Sequence, residues 1–130
     1  PLKKNKIIKK KRNLNYIVIL TNKKIIFKKR TGNDIWKNLY DFPLIEGNHS
    51  KLEQIINKKE FIILTKKLKT PIKFIKLVTT QHPLSHQILN IKFWLFFSEE
   101  SFKNSVSIKE ITNFPKPVVI SDFINKHLKS

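Results

Sequence analysis

The fold of this chain is decided by residues 28–43, which read KKRTGNDIWKNLYDFP. Small and polar residues at 31–34 predict a loop. Residues 36–46 alternate loosely, and Pro43 limits them to a short or edge strand. We expect the apolar members of this stretch to be core and turn residues, namely Trp36, Leu39, Phe42 and Pro43. Arg30 is expected to form an ion pair with Asp34 or Asp41.

Strand and helix signals flank this stretch on both sides. Apolar or β-branched runs predict strands at residues 15–20, 24–28, 72–80 and 88–97. Two capping boxes, at residues 50–53 and 107–110, predict helices, and Pro117 predicts the first turn of a last helix that ends near Leu128. The first helix is expected to bury Leu52, Ile55 and Ile56, whereas residues 61–68 fit either a strand or a helix. Together these elements predict a mixed α+β sandwich.

Composition narrows the functional classes. A chain of 130 residues that is 40% hydrophobic has the size of one domain with one core. No apolar run approaches the roughly eighteen residues that a membrane span needs. The absence of cysteine excludes disulfides, thiolate zinc sites and thiolate-held clusters from these residues, and a bacterial cytoplasmic setting is expected. Because the chain begins with Pro1, we expect it to be part of a longer protein.

The charge is large and unevenly placed. A net charge of +18 favours a nucleic-acid partner. Residues 61–98 contain no carboxylate, and residues 1–13 are predicted to form a basic linker before a domain at 14–130. The basic residues of the linker are Lys3, Lys4, Lys6, Lys9, Lys10, Lys11 and Arg12. On charge alone, a solvated lysine-rich face fits equally well.

The side chains that could support catalysis do not form a recognisable site. The adjacent Glu99 and Glu100 would point apart in a strand. Ser85 and His86 lack the glycine-rich elbow of a nucleophilic serine. His82 and His86 have metal-ligand spacing only on a helix, which the intervening proline disfavours. No phosphate-binding loop or dinucleotide fingerprint is present, so we predict no catalytic residue and no metal site.

Residues 28–43 resemble the "KR…GLW…LWEFP" signature of the C-terminal domain of MutY-type adenine DNA glycosylases, a relative of the Nudix fold. The matching residues are Arg30, Trp36, Leu39, Tyr40, Phe42 and Pro43, whereas Ile35 replaces the usual glycine. Residues 80–87 are similar to the family's Ser-His loop. Residues 106–128 resemble its ending, although Ser105 and Val106 stand where the family has a tryptophan. The resemblance covers nearly the whole chain and implies an α+β fold, a Nudix-like mixed β-sheet flanked by helices.

The resemblance also implies a function, the recognition of oxoguanine opposite adenine in duplex DNA during base excision repair. Oxoguanine presents an N–H donor at N7 beside a carbonyl acceptor at C8, and a serine hydroxyl can pair with both because it donates and accepts. The implied lesion-recognition residues are Leu84 as an apolar wedge, Ser85 as the hydroxyl and His86 as a brace. The basic linker would contact backbone phosphates.

The family resemblance further implies a partner domain on the same chain. This N-terminal glycosylase domain would hold the catalytic acids and an iron–sulfur cluster and would excise the adenine, while residues 1–130 would need no cofactor.

Two other functions stay open. A general nucleic-acid-binding module accounts for the charge but not for the signature at residues 36–43. A Nudix hydrolase that acts on oxidised nucleotides needs several carboxylates to hold Mg²⁺ against a diphosphate. The corresponding residues 50–59 offer only Glu53, which argues against hydrolysis.

Overall fold

β1 (Lys10–Thr21) is the middle strand of the main sheet in the computed structural model, which describes residues 9–30 and 37–128. Residues 14–19 are all buried, because the strand is covered on both faces. The strand predicted at residues 15–20 is therefore confirmed. Residues 10–13, expected in the linker, belong instead to β1, because they pair in parallel with residues 87–90. The linker residues 1–8 lie outside the described part of the chain.

Most of the remaining elements follow the predicted order, but residues 36–46 contain two short strands instead of one, and the strand at residues 105–107 was not predicted. The other strands are β2 (Lys24–Ile26), β3 (Lys28–Lys29), β4 (Tyr40–Asp41), β5 (Leu44–Glu46), β6 (Lys73–Pro83), β7 (Gln87–Phe97) and β8 (Ser105–Ser107). The helices are α1 (Leu52–Ile56), α2 (Lys59–Thr65), a 3-10 helix (Ile108–Asn113) and α3 (Val118–His127). The strand expected at residues 24–28 is interrupted at Phe27. The ambiguous residues 61–68 are helical as far as Thr65.

The main sheet has the strand order β6–β7–β1–β2–β8, and β5 pairs with residues 14–16 in the middle of β1. The β1–β7 pair is parallel and the other pairs are antiparallel. β3 and β4 form a separate two-stranded sheet. β6 lies at one edge of the main sheet and exposes Phe74, Ile75 and Leu77.

The two faces of the sheet bury different cores, because successive side chains of a strand point to opposite faces. On one face, residues such as Tyr16 and Phe93 pack with Phe123 of α3. On the other face, residues such as Ile17 and Trp94 form a cluster with α1 and α2 through Ile55 and Phe61. Helices therefore cover both faces, and the predicted α+β class is confirmed.

A buried amide connects three segments of the second face. Asn15 of β1 is 1% exposed. Its Oδ1 accepts a hydrogen bond from Trp94 Nε1 at 3.0 Å. Its Nδ2 donates to the carbonyls of Ile45 and Gly47, at 3.0 and 2.8 Å. The side chain thereby fixes β5 and the residues after it against β1 and β7.

The helix starts differ from the predicted capping boxes in detail. The side chain of Gln54, rather than Glu53, accepts hydrogen bonds from the N–H groups of residues 50 and 51, so α1 begins one residue later than predicted. Ile55 is buried and the half-buried Leu52 packs against the same core, as predicted. Ile56 is 38% exposed, so the prediction for Ile56 is wrong. The predicted cap at residue 107 is confirmed, since its hydroxyl accepts from the N–H of Lys109.

We expect Asn15→Ala to lower the free energy of unfolding by about 3 kcal/mol. The change leaves the buried Trp94 N–H and two carbonyls without this partner, and each unsatisfied buried group costs about 1–3 kcal/mol. Denaturant unfolding measures the effect. The matched control is Asn125→Ala on the exposed side of α3, which should change stability by less than about 0.5 kcal/mol. Equal effects of the two variants would contradict the role of the amide.

Candidate functional site

The β6–β7 hairpin turn carries the residues predicted to recognise a lesion. The N–H of Leu84 donates to the carbonyl of Gln87 at 2.7 Å and closes the turn. Ser85 and His86 are exposed at its tip. Leu84 is half-buried and packs against the core of the α3 face. It would have to leave that core to act as the wedge that the resemblance implies, whereas Ser85 and His86 are accessible to a ligand.

The start of β1 brings basic residues beside this turn. The N–H of Lys10 donates to the carbonyl of His86 at 3.3 Å, and the side chains of Lys10 and Lys11 are exposed. Arg12 is instead paired with Glu46, through Nε–Oε2 at 3.0 Å and Nη2–Oε1 at 2.5 Å. This pairing disfavours Arg12 as a phosphate ligand. Lys9 is half-buried, and Lys3, Lys4 and Lys6 lie outside the described residues.

Part of the signature stretch serves the core: the prediction is confirmed for Phe42, whereas Leu39 and Pro43 are half-buried. Arg30 Nη1 donates to Asp41 Oδ2 at 2.5 Å, so Asp41 is the ion-pair partner, and Asp34 lies outside the described residues. The ring of Tyr40 packs against Phe114, with centroids 4.7 Å apart. Phe42 is 1% exposed. These contacts confirm packing roles for this part of the signature, whereas Trp36 lies outside the described residues.

Carboxylates do not gather around the α1–α2 segment, where a Nudix hydrolase would hold its cation. Glu53 lies in the first turn of α1 and Glu60 in the first turn of α2, and the chain between the two helices is not helical. Glu60 was not among the carboxylates considered from the sequence, because it comes directly after residues 50–59. In residues 9–30 and 37–128, no three His, Asp or Glu side chains are grouped so that they could hold a metal ion. These side chains do not fit a magnesium site.

A polar trough of about 500 Å³ opens on the sheet where β1, β6 and β7 lie side by side. It is lined by Lys11, Asn13, Asn48, Thr79, Thr80, Gln81, Asn90, Ile91 and Lys92. It could not be predicted from the sequence, because its lining residues come from separate parts of the chain and only the strand register brings them together. The trough contains lysine and amide side chains but no carboxylate, so it favours an anion.

His49 lies at the side of the trough, in a cationic setting. Its backbone carbonyl accepts a hydrogen bond from Lys92 Nζ at 2.6 Å. Both ring nitrogens are buried and have no hydrogen-bond partner among the described residues. Burial and the positive charges of Lys58 and Lys92 lower the pKa of His49 below its ordinary value, and Glu60 opposes them only weakly. The ring is therefore neutral at neutral pH.

Comparisons with known proteins identify the fold. The sequence profile of the NUDIX domain family matches residues 15–126. MutT from methicillin-resistant Staphylococcus aureus 252 has a TM-score of 0.57 and 20% identity over 92% of this chain and 96% of its own. MutT from Methanosarcina mazei Go1 has a TM-score of 0.64 and 14% identity, with coverages of 91% and 93%. The NUDIX domain of Shewanella oneidensis NrtR, solved with ADP ribose, has a TM-score of 0.58 and 12% identity over 91% of this chain and 86% of its own.

No curated protein sequence matches the chain. The structural likenesses confirm the predicted Nudix-like fold, and at 20% identity or less they show the fold alone. The narrower resemblance to MutY stays a prediction, as do the roles of Leu84, Ser85 and His86. Within the described ranges, no helix has the length and apolar character that a membrane span requires.

We expect the free energy of unfolding to fall as the pH is lowered from 7 to 5, partly because of His49. Its folded-state pKa lies below 6.5, so between the two pKa values the unfolded chain binds more protons. The contribution is fully present above the unfolded pKa and is lost as the pH falls through that value toward the folded pKa. Denaturant unfolding at several pH values measures it. His49→Gln should reduce the pH dependence, and a slope equal to that of the wild-type protein in this variant would contradict the assignment.

Proposed function

Because the chain belongs to the NUDIX domain family, we propose that it uses this fold to bind DNA rather than to hydrolyse nucleotides. More narrowly, we propose that it is the C-terminal domain of a MutY-type adenine DNA glycosylase and recognises oxoguanine opposite adenine in duplex DNA. The observation that carries the non-hydrolytic part is the placement of the carboxylates: the described ones do not form a cation site.

Several acidic side chains have structural partners instead. Asp41 pairs with Arg30, and Glu46 pairs with Arg12. The carboxylate of Glu100 accepts hydrogen bonds from the Thr70 hydroxyl and from the backbone N–H groups of Lys69 and Thr70, and these bonds lower its pKa. Such carboxylates hold the fold together. Hydrolysis of a diphosphate would need several of them around one cation.

The β6–β7 hairpin supports a nucleic-acid partner. Residues 73–97 contain no carboxylate, and Lys73, Lys76 and Lys92 supply positive charge. The start of β1 adds Lys10 and Lys11. They lie next to the turn, because the backbone N–H of Lys10 donates to the carbonyl of His86. An anionic duplex would therefore meet lysines along the hairpin and the start of β1. Asp122 of α3 lies near His82 on the other face of the sheet.

Ser85 is the residue that we propose to distinguish oxoguanine from guanine. Its hydroxyl is exposed at the turn and both donates and accepts, as the N7–H and O8 groups of the lesion require. His86 is its exposed neighbour and would brace the turn. We place the glycosylase chemistry and the iron–sulfur cluster in a partner domain of the parent protein, because residues 1–130 contain no cysteine.

We expect Ser85→Ala to cost about 1–3 kcal/mol of the preference for oxoguanine over guanine, the usual worth of a good base-edge contact. The affinity for an undamaged duplex should hardly change, because phosphate contacts determine the affinity that does not depend on sequence. Titration of labelled duplexes with oxoguanine or guanine opposite adenine measures both quantities. Ser101→Ala, an exposed serine away from the turn, is the matched control. If a folded Ser85→Ala, His86→Ala double variant keeps the full preference for oxoguanine, the turn does not recognise the lesion. If the wild-type protein binds both duplexes with equal affinity, a general nucleic-acid-binding module is favoured.

The second candidate function is nucleotide hydrolysis, which is favoured by the description of the Staphylococcus aureus MutT as a Nudix hydrolase. We expect no Mg²⁺-dependent release of pyrophosphate from a panel of normal and oxidised nucleoside triphosphates, because Glu53 and Glu60 lie on separate helices. Release that disappears in Glu53→Gln or Glu60→Gln, but persists in the control Glu110→Gln, would establish the hydrolase and overturn the DNA-binding proposal.

A further inference from the structure

The polar trough is built by the register of three strands. Asn13 of β1 is paired with Asn90 of β7, and Asn90 is paired with Gln81 of β6. These three amides therefore form a row across the sheet. Thr79 is paired with Lys92 one step further along the same face. Lys11 lies on this face two residues before Asn13, on the side of the row opposite to Thr79 and Lys92.

The same sheet face changes from polar to apolar where the helices begin to cover it. In β7, Asn90 and Lys92 are followed on this face by Trp94, and in β1 Asn13 and Asn15 are followed by Ile17. α1 and α2 pack on the apolar part through Ile55 and Phe61. The polar part stays open as the trough. Its position is therefore fixed by the core beside it.

Several trough side chains are held in place rather than freely solvated. Asn13, Asn90 and Lys92 are half-buried. Gln81 Nε2 donates to Asn90 Oδ1 at 2.8 Å. The bond from Lys92 Nζ to the His49 carbonyl uses one of the three ammonium donors and leaves two for a ligand. Ordered donors lose little conformational entropy when they bind.

The lining determines the chemical class of the ligand. No lining residue is acidic, so the charges of Lys11 and Lys92 have no counter-ion within the trough. No lining residue is aromatic, so nothing there offers a surface on which a base could stack. Lysine and amide N–H groups around an open polar cavity suit the oxygen atoms of a phosphate group.

We propose that this trough binds a backbone phosphate of the DNA strand whose oxidised base contacts the turn. The proposal rests on the proposed function, because it takes DNA as the ligand. Only two paired positions separate the Gln81–Asn90 pair from the turn. At about 3.3 Å per residue, Ser85 lies roughly 10 Å from the trough. That distance corresponds to about three nucleotides at about 3.4 Å each along the duplex axis, so the phosphate would hold the strand in register with the turn.

The test neutralises both lysines in Lys11→Gln, Lys92→Gln. The control, Lys24→Gln, Lys109→Gln, makes the same charge change at two exposed residues on β2 and the 3-10 helix. We expect the trough variant to bind an oxoguanine:adenine duplex at least tenfold more weakly at moderate salt. The slope of log affinity against log salt should fall by about 0.9 for one lost phosphate contact. Its oxoguanine-over-guanine ratio should stay unchanged, because a phosphate contact carries no base information. Thermal unfolding verifies that both variants are folded.

The outcomes separate this proposal from the function on which it rests. Equal slopes for the trough and control variants would overturn the phosphate site, even where Ser85→Ala lowers the lesion preference. A reduced slope in the trough variant, with no effect of Ser85→Ala on that preference, would sustain the phosphate site and overturn lesion recognition by the turn. A nucleoside triphosphate is the competing ligand. If its binding requires the two lysines while the salt slope of DNA binding is the same in the trough variant and the wild-type protein, the trough holds a free nucleotide and the proposal is wrong. Wild-type protein that binds neither duplex overturns both proposals.

Discussion

The amide of Asn15 is the contact on which the arrangement of the site depends. It accepts from Trp94 Nε1 and donates to the carbonyls of Ile45 and Gly47. Gly47 adopts a φ of +128°, and a Cβ there would meet His49 Nε2 at 2.7 Å, so the chain turns at this point with a close side-chain approach. His49 then offers the carbonyl that holds Lys92. The buried side chain of Asn15 thus helps to place the ammonium group of Lys92 on the open part of the sheet, by way of Gly47 and His49.

The sequence predicted best what depends on local pattern. The apolar runs at residues 15–20 and 88–97 lie in β1 and β7, and Arg30 pairs with Asp41 as expected. Prediction failed where pairing between distant segments determines the local structure. Residues 10–13 have the composition of a charged linker, yet they form a strand because they pair with residues 87–90 of β7. The polar trough could not be foreseen, because Asn13, Gln81 and Asn90 meet only through the register of three strands.

The placement of charge connects the fold to the proposed function. Asp41 and Glu46 are paired with arginines, and Glu100 accepts backbone N–H groups, so these acids act in the structure. The turn, the start of β1 and the trough have lysines nearby and no carboxylate in residues 73–97. The acids in residues 9–30 and 37–128 form no cation site, whereas the sheet and loops of the Nudix fold remain as a frame for binding residues. Under the proposed function, that frame presents a hydroxyl to a base edge and lysines to the backbone.

β6 has a further consequence for how the protein behaves at high concentration. Its outer edge is not paired within the main sheet, and Phe74, Ile75 and Leu77 are 40%, 49% and 36% exposed. An apolar edge strand is a template on which another chain can add a strand and begin to aggregate. Lys73 and Lys76 flank and interrupt these apolar residues, so they act as gatekeepers against that addition. The lysines of this strand therefore contribute to colloidal stability, and salt that screens them weakens the protection.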